Sequence, residues 1–270
     1  FLPVPGTAAD ISENDIPWNE TAKVKDDMFF GRNQLIADLK KHYLSRNRIE
    51  TYILYGLTRH GKSSIHEHLS KQLLLKEIET PSGKKKILPF FWSFATASSN
   101  DNARDMWNYL VDDTIFEGEN DFRPGLEIYI SNGTIPDILS ANKDLERLKS
   151  KYPKRNIHFP KVLQALSNAG YFPFIAIDEF SYYKVMVDND LVQPAFLQQI
   201  REITIDNQTA AFIFAGVYDL IDMIKHPQYG ITSQLANTKE IQIGPIEASE
   251  SEKLINVSET TKIGMYIPHK

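Results

Sequence analysis

Residues 56–64, GLTRHGKSS, constrain the fold of this chain more than any other segment, because they match the pattern G-x-x-x-x-G-K-[ST]. Residues 51–55, directly before them, are apolar, aromatic or β-branched, which is typical of a buried parallel strand. A helical pattern begins at Lys62. Gly56 and Gly61 allow the loop to curl its N–H groups inward, and the helix N-terminus adds the positive end of its dipole. The segment therefore predicts a strand, a phosphate-binding loop and a helix.

The side chains of this loop predict that the phosphates belong to a nucleoside triphosphate bound with Mg²⁺. Lys62 would reach the β- and γ-phosphates, and the Ser63 hydroxyl would bind the metal. An ordinary glycine-rich turn is the alternative, and the strand before the loop and the helix after it argue against that alternative. The residues predicted to contact the nucleotide in this loop are Gly56, Thr58, Arg59, His60, Gly61, Lys62, Ser63 and Ser64.

A second motif ends another apolar stretch, residues 172–177, where Asp178 and Glu179 stand side by side. Ligands of open α/β sheets bind beyond the carboxyl ends of the strands, so both carboxylates would lie at the phosphate site. Asp178 would hold Mg²⁺ through water, and Glu179 would polarise the water that attacks the γ-phosphate. The alternative is a solvated Asp-Glu turn, against which the phosphate-binding loop argues. The predicted catalytic residues are Lys62, Asp178 and Glu179, with Ser63 and Asp178 at the metal.

The composition of the chain limits which binding partners, metals and cellular locations are expected. The chain has 270 residues, no cysteine, a net charge of −5 and a pI of about 5.8. The acidic balance argues against a protein that coats nucleic acid, although it leaves room for a local basic patch. Without cysteine there is neither a disulfide nor a thiolate metal site, and Mg²⁺ is the one metal expected. No apolar run reaches the roughly 20 residues of a membrane span, and a cytoplasmic location is expected.

Short apolar strands alternate with helical patterns, which predicts an α/β fold of three layers, a parallel sheet with helices on both faces. Residues 1–27 are interpreted as an extended arm, residues 28–245 as the core, and residues 246–270 as the start of a truncated helical lid. Because the chain begins at Phe1, we expect a fragment or a processed product. The predicted helices are 33–46, 62–76, 101–116, 142–151, 159–169, 194–204 and 219–225, and the predicted strands are 51–55, 87–95, 172–178, 209–216 and 239–243, with 80–86 as a solvated, hairpin-like connection.

Four segments resemble, in order, the signal-transducing P-loop ATPases called STAND, within the wider AAA+ superfamily. They are DDMFFGR (26–32), YGLTRHGKSS (55–64), IAIDEF (175–180), and FIFAG (212–216) followed by IQIGPIEASESEKLI (241–255). The loop and the acidic pair are common to many ATPases, whereas FFGR and an arginine within the loop are more discriminating. The resemblance covers nearly the whole chain from residue 26 and implies a P-loop NTPase core.

The resemblance also implies roles for residues outside the two motifs. Gly31 and Arg32 match the family's N-terminal turn, which lies against the adenine and ribose. Arg59 matches the family's loop arginine, which contacts the γ-phosphate or a neighbouring subunit; an arginine that faces solvent is the alternative. Arg201 is a further candidate for an arginine finger, with a surface ion pair as the alternative.

One position departs from the family pattern. AAA+ ATPases usually carry a polar sensor after the strand that matches FIFAG, whereas Ala215 and Gly216 stand there. Tyr218 or Asp219 could substitute for it. If the sensor is missing, slow hydrolysis is expected.

The function expected from the resemblance is an ATP-driven molecular switch that binds ATP or ADP with Mg²⁺ and hydrolyses ATP slowly, as in STAND-type signalling and defence. Self-association or partner subunits on the ATPase face are expected, without a membrane. The alternative is a nucleic-acid-directed AAA+ ATPase of the replication or transposition loader type, which needs a basic channel. A scaffold with a degenerate nucleotide site is a third hypothesis, against which the intact Lys62, Ser63, Asp178 and Glu179 argue.

Overall fold

One mixed sheet organises the central part of the chain. Its strands in the described residues are β1 (Thr51–Tyr55), β2 (Glu77–Thr80), β3 (Gly83–Ser93), β4 (Tyr171–Asp178), β5 (Ala211–Gly216) and β6 (Thr238–Gln242). Their order across the sheet is β2-β3-β4-β5-β1-β6, and every neighbouring pair is parallel except β2 with β3. The helices that the described ranges contain are α1 (Asn33–Leu44), α2 (Lys62–Leu73), α3 (Leu126–Ser131), α4 (Phe159–Asn168), α5 (Tyr182–Asp188), α6 (Ala195–Arg201) and α7 (Asp219–Lys225), with a π-helical turn at Glu202–Asp206 and a 3-10 turn at Pro227–Tyr229.

The structure is a computed structural model, and it describes residues 31–45, 50–94, 126–136, 159–189, 195–231, 235 and 238–246. The chain divides into two compact units, residues 34–244 and residues 1–33 together with 245–270. Of the second unit only 31–33 and 245–246 are described. The predicted arm, the predicted helices at 101–116 and 142–151, and all but the first residue of the predicted lid segment lie outside the described residues, and the predicted domain boundaries stay predictions.

Parallel pairing brings the ends of several strands to one edge of the sheet. Ser93 at the end of β3 is level with Asp178 at the end of β4, and Tyr55 at the end of β1 is level with Gly216 at the end of β5. Tyr55 is also level with Gln242 on β6. We call this the carboxyl edge, and the opposite side, where β3, β4 and β5 begin, the amino edge. The loop that follows β1 therefore lies at the same edge as Asp178.

One face of the sheet carries a large hydrophobic cluster. Alternate residues of the three central strands point into it, because successive side chains of a strand point to opposite faces. They are Phe90 and Trp92 of β3, Ile175 and Ile177 of β4, and Phe212 and Phe214 of β5, all buried. The helices α4, α6 and α7 contribute Leu163, Leu166, Leu197, Ile200, Leu220 and Met223. Burial of this much apolar surface is a dominant favourable term in folding.

Helices α1 and α2 cover the opposite face. The His66 ring of α2 lies 6.1 Å from the ring of Phe91, whose neighbours along β3 belong to the cluster on the other face. Tyr43 of α1 packs edge-on against Phe174, with 4.8 Å between ring centroids, and its hydroxyl donates to the Phe212 carbonyl oxygen (3.1 Å). The predicted three-layer α/β architecture is confirmed: helices lie on both sides of a mostly parallel sheet.

The stretch predicted as a hairpin-like connection, 80–86, is mostly strand in the structure. Strands β2 and β3 pair as an antiparallel hairpin that Thr80 and Gly83 close. Gly83 adopts a φ of 108°, and Thr80 Oγ1 donates to its carbonyl oxygen (2.7 Å). Ile78 and Lys85 lie opposite each other and are both buried. The basic run therefore alternates between covered and exposed positions, as strand residues do.

In the described residues, no helix combines the length and the apolar character that crossing a bilayer requires.

Candidate functional site

The loop after β1 is shaped by its two glycines. A Cβ atom built on Gly56 would lie 2.2 Å from the Ile243 carbonyl oxygen, so a larger residue fits only if the backbone moves. Gly61 caps α2 in the left-handed conformation, with a φ of 78°. Arg59 also has a positive φ, 65°, which costs an L-residue about 1–2 kcal/mol. The loop is thus held in a curled shape against the end of β6.

Lys62, the first residue of α2, turns its side chain back over this loop. Its ammonium donates to the carbonyl oxygens of Gly56 (3.1 Å) and Leu57 (2.9 Å). The residue is only 6% exposed, which is rare for a lysine. Burial lowers the pKa of Lys62, and the carboxylates of Asp178 and Glu179 raise it. The side chain therefore brings a positive charge into an enclosed position beside two carboxylates.

Ser63 and Asp178 meet although 115 positions separate them in the sequence. The Ser63 hydroxyl donates to Oδ2 of Asp178. The Oδ1 atom of Asp178 accepts the backbone N–H of Glu179 (2.9 Å), which fixes the orientation of the carboxylate. Asp178 and Ser64, the next residue of α2, are both buried. The loop and the acidic strand end are thus brought together at the carboxyl edge.

Glu179 has a backbone conformation that L-residues rarely adopt, with a φ of 52°. The next peptide holds it in place, since the Phe180 N–H donates to the Ala215 carbonyl oxygen on β5 (2.7 Å). Such strain costs on the order of 1–3 kcal/mol and concentrates at functional sites. Burial and the neighbouring Asp178 raise the pKa of Glu179, whereas Lys62 lowers it. A carboxyl group with a raised pKa is better matched to proton transfer near neutral pH.

Two side-chain oxygens, from Ser63 and Asp178, are available here to a divalent cation. Mg²⁺ is usually bound through one or two carboxylates, with water and substrate phosphates as its other ligands. The described ranges contain no group of three or more His, Cys, Asp or Glu side chains that could hold a metal ion. The donor set therefore fits Mg²⁺ that binds together with a nucleotide, rather than a metal held by the protein alone.

The end of β5 packs closely against the turn after β4. A Cβ atom on Gly216 would lie 2.5 Å from Ser181 Oγ, which accepts the Val217 N–H (2.9 Å). The side chains of Ser181 and Leu220 therefore fill the space that a side chain at Gly216 would need. Tyr218 follows at the rim, 39% exposed, and its hydroxyl accepts a hydrogen bond from the Gln242 side-chain amide (2.9 Å). The hydrogen bond from Gln242 thus holds the Tyr218 hydroxyl in place at the carboxyl edge.

The other predicted loop residues differ in their surroundings. Thr58 and Arg59 are exposed. His60 is half-buried, and its Nδ1 lies 2.9 Å from the Ile243 carbonyl oxygen, the same atom that Gly56 approaches. The loop and the end of β6 are therefore connected through one carbonyl group, a link that no sequence motif predicted.

Gly31, Arg32 and Arg201, to which the family resemblance assigns roles, lie outside the two motifs. Gly31 and Arg32 have positive φ angles, 76° and 62°, and belong to the other compact unit. Arg201 is exposed and ends α6, which leads through the π-helical turn to the start of β5 at the amino edge. Their roles stay predictions.

Ser93 is a polar residue of the carboxyl edge that sequence patterns did not identify. It is buried and level with Asp178 on the neighbouring strand. In a parallel pair, residues at the same level point to the same face, so the two side chains are neighbours. Only the register between strands that are distant in sequence places Ser93 here.

No protein-family model matches this chain, and no curated protein matches it either. Three solved structures are similar: the ORC1 protein of Aeropyrum pernix in complex with DNA, the Walker-type ATPase PABY2304 of Pyrococcus abyssi, and the ORC2 protein of Aeropyrum pernix in its ADPNP–ADP complexes. Their identities are 12%, 13% and 13%, their TM-scores 0.49, 0.47 and 0.47, and they cover 87%, 90% and 94% of this chain. This chain spans only 50%, 62% and 55% of their lengths.

Proposed function

We propose that this chain contains a Mg²⁺-dependent ATPase domain that binds ATP or ADP and acts as a slow molecular switch. One observation carries the proposal: the Ser63 hydroxyl of the loop donates to the Asp178 carboxylate, with Lys62 and Glu179 close enough to shift each other's pKa. This arrangement offers a curled loop, a cation, two oxygens for a metal and a carboxylate base within one site.

Binding of the triphosphate would use groups that the chain already holds in position. The loop backbone would donate N–H groups to the phosphates, helped by the dipole of α2. The Lys62 ammonium would exchange the carbonyl oxygens of Gly56 and Leu57 for phosphate oxygens, which are charged and therefore stronger acceptors. Ser63 and Asp178 would bind Mg²⁺, which neutralises charge on the phosphates.

Glu179 would act as the base in hydrolysis. A water proton would pass to its carboxylate as the water oxygen attacks the γ-phosphorus and the bond to the β-phosphate oxygen breaks, which yields ADP and phosphate. Glu179 must be ionised for this step. Lys62 favours the ionised form, whereas burial and Asp178 oppose it. The proposed rate therefore falls on the acid side at a pH above the ordinary glutamate range.

Slow turnover is supported by two features of the carboxyl edge. Gly216 has no side chain where the resemblance implies a polar sensor, and the side chains of Ser181 and Leu220 fill the adjacent space. Arg59 is exposed on the loop, where it could act on a neighbouring subunit. An arginine finger is worth about 10³–10⁵ in rate to a P-loop ATPase, so a chain that waits for a neighbour's arginine would hold ATP for long periods. An ATP-bound state and an ADP-bound state could then favour different conformations or oligomers. A STAND-type signalling or defence role is the finer form of this proposal, and the resemblance of the motifs supports it.

The test combines nucleotide titration with steady-state hydrolysis. Mant-ATP and mant-ADP are titrated with and without Mg²⁺, mant-GTP is run in parallel, and phosphate release is measured over a range of protein concentrations. We expect Mg²⁺-dependent binding and a turnover below the roughly 1–10³ s⁻¹ typical of enzymes, with specific activity that rises with protein concentration. Arg59→Ala should remove that rise, while Arg201→Ala reports on the second candidate. Absence of binding to every nucleotide would refute the proposal.

The same assay separates the switch from a nucleic-acid-directed ATPase. Single- and double-stranded DNA are added at several salt concentrations. Stimulation of hydrolysis that declines steeply with salt would favour the nucleic-acid alternative, because phosphate-backbone binding depends strongly on ionic strength. Hydrolysis that DNA leaves unchanged would favour the switch.

A further inference from the structure

A small cavity at the amino edge of the sheet has three lysines among its seven lining residues. Its volume is about 240 Å³, and its lining residues are Glu77, Lys84, Lys85, Lys86, Ala169, Gly170 and Tyr171. Eight residue steps of about 3.3 Å along β3 separate Lys85 from Ser93 at the other edge, a distance of roughly 26 Å. The cavity is therefore distinct from the candidate nucleotide site.

Lys85 is the unusual residue of this cavity. It is only 5% exposed, and its ammonium donates to the Ser167 hydroxyl of α4. Within the described residues it makes no ion pair. Burial lowers the pKa of Lys85, and none of the carboxylates in the described part of the chain opposes that effect. A buried ammonium whose hydrogen-bond partner is a neutral hydroxyl is costly unless an anion joins it.

The residues next to Lys85 at the mouth of the cavity carry charges of both signs. Lys84 and Lys86 are exposed on either side of Lys85, and in the hairpin register Glu77 lies opposite Lys86. Glu77 is the acidic residue of the lining, and Glu79, outside the lining, lies opposite Lys84, so each exposed lysine has a glutamate across from it and Lys85 does not. Ser167 accepts from Lys85, and its own hydroxyl hydrogen has no acceptor among the described residues. Ser167 is not one of the lining residues, so the group that the cavity offers to a ligand is Lys85, which Ser167 holds in position.

We propose that this cavity binds the phosphate group of a small ligand, either inorganic phosphate or a phosphomonoester. A phosphate carries the negative charge that the Lys85 ammonium has no partner for among the described residues, and its oxygens can accept a hydrogen bond from that ammonium. The volume is below the roughly 300–1,000 Å³ of pockets that enclose drug-sized ligands, which favours a small anion. The structural alternative is that Lys85 only caps the C-terminus of α4, where carbonyl oxygens attract cations.

Phosphate-induced stabilisation of the full chain tests the proposal, because a ligand that binds the folded state raises the unfolding temperature. All measurements use a Lys62→Ala background, so that the loop after β1 does not contribute, and chloride keeps the ionic strength constant. Inorganic phosphate and glycerol phosphate are titrated separately, which distinguishes the two sources of the group. We expect a saturable rise in Tm, a dissociation constant at least about tenfold larger after Lys85→Met, and a smaller increase after Ser167→Ala.

Lys225→Met is the matched control, since Lys225 is an exposed lysine of α7 outside the cavity. A phosphate response that persists in Lys85→Met would show that Lys85 only caps α4 and would overturn the proposal. An equal loss in Lys225→Met would show a general charge effect and would also overturn it. If Lys85→Met does not fold, Ser167→Ala and Lys86→Met decide, because the first removes only a hydroxyl group and the second changes an exposed residue. An unchanged phosphate affinity in both variants would refute the site.

Discussion

Lys62 and Lys85 are the two buried lysines of the described residues, and they lie at opposite edges of the same sheet. Burial lowers the pKa of each. At the carboxyl edge, two carboxylates oppose that effect on Lys62, whereas at the amino edge the hydrogen-bond partner of Lys85 is a hydroxyl. Burial alone therefore does not distinguish the two lysines. The groups that contact each ammonium differ, and they indicate which ligand each lysine can bind.

The largest expected effect is the loss of nucleotide binding in Lys62→Ala. A triphosphate in the loop would lose its main cationic side-chain partner, so mant-ATP binding should become undetectable. Lys225→Ala, which removes an exposed lysine of α7, serves as the control. Wild-type affinity in Lys62→Ala would refute the assignment of the loop. An equally large loss of mant-ATP binding in Lys85→Met would break the separation of the two edges.

The next effect concerns the rate. Glu179→Gln should retain ATP and hydrolyse it at least about 100-fold more slowly, the scale of losing a general base. Asp178→Asn should instead weaken Mg²⁺-dependent binding, because it removes a charged metal ligand. Single-turnover hydrolysis and Mg²⁺ titration separate the two outcomes, with Glu240→Gln on β6 as an exposed control. Normal turnover in Glu179→Gln would mean that another residue positions the water.

A third prediction compares glycines of the two edges. Gly56→Ala places a Cβ atom 2.2 Å from a carbonyl oxygen, so it should cost about 1–3 kcal/mol of unfolding free energy and also weaken ATP binding. Gly83→Ala meets no atom within 4 Å but keeps a φ of 108°, so it should cost about 1–2 kcal/mol without an effect on ATP. Gly244→Ala, in open space, is the control. Urea unfolding and mant-ATP titration measure both effects, and an unaffected ATP affinity in Gly56→Ala would argue against a tight loop.

The candidate site residues at the carboxyl edge could be predicted from the sequence because they belong to short, local sequence patterns. The loop pattern gave Gly56, Lys62 and Ser63, and an apolar strand that ends in two carboxylates gave Asp178 and Glu179. Parallel strands then require that the two motifs share an edge, and the structure brings them together. The helix predicted at 219–225 is likewise observed as α7 (Asp219–Lys225).

The amino edge could not be predicted in the same way. The residues Lys84–Lys86 stand in a run of charge that favours a solvated connection, yet β3 pairs through them with β2 and β4. Burial of Lys85 depends on α4, whose Ser167 is 82 positions away. Ser93 beside Asp178 and His60 beside Ile243 depend on register and long-range packing in the same way. Local sequence patterns do not show which residues far apart in the chain will be in contact, so these contacts are known only from the tertiary structure.

The smallest expected effect is on stability, and it has the opposite sign to the effect on rate. Because the folded state raises the pKa of Glu179, it binds a proton more readily than the unfolded chain does. Between the ordinary glutamate pKa of about 4.3 and the raised value, stability therefore falls as pH rises, and above that window the ionised Glu179 destabilises the fold. Glu179→Gln removes this cost, so its Tm should exceed that of the wild type at neutral pH, and the difference should shrink towards zero as pH falls below the window. Thermal unfolding from about pH 4 to pH 8, with Glu240→Gln as the control, measures it. If Glu179→Gln is less stable than the wild type at neutral pH, the attraction between Glu179 and Lys62 outweighs the cost of burying the carboxylate. Glu179 and Lys62 would then form an ordinary stabilising ion pair, and the folded state would not lose stability by keeping a base at the carboxyl edge.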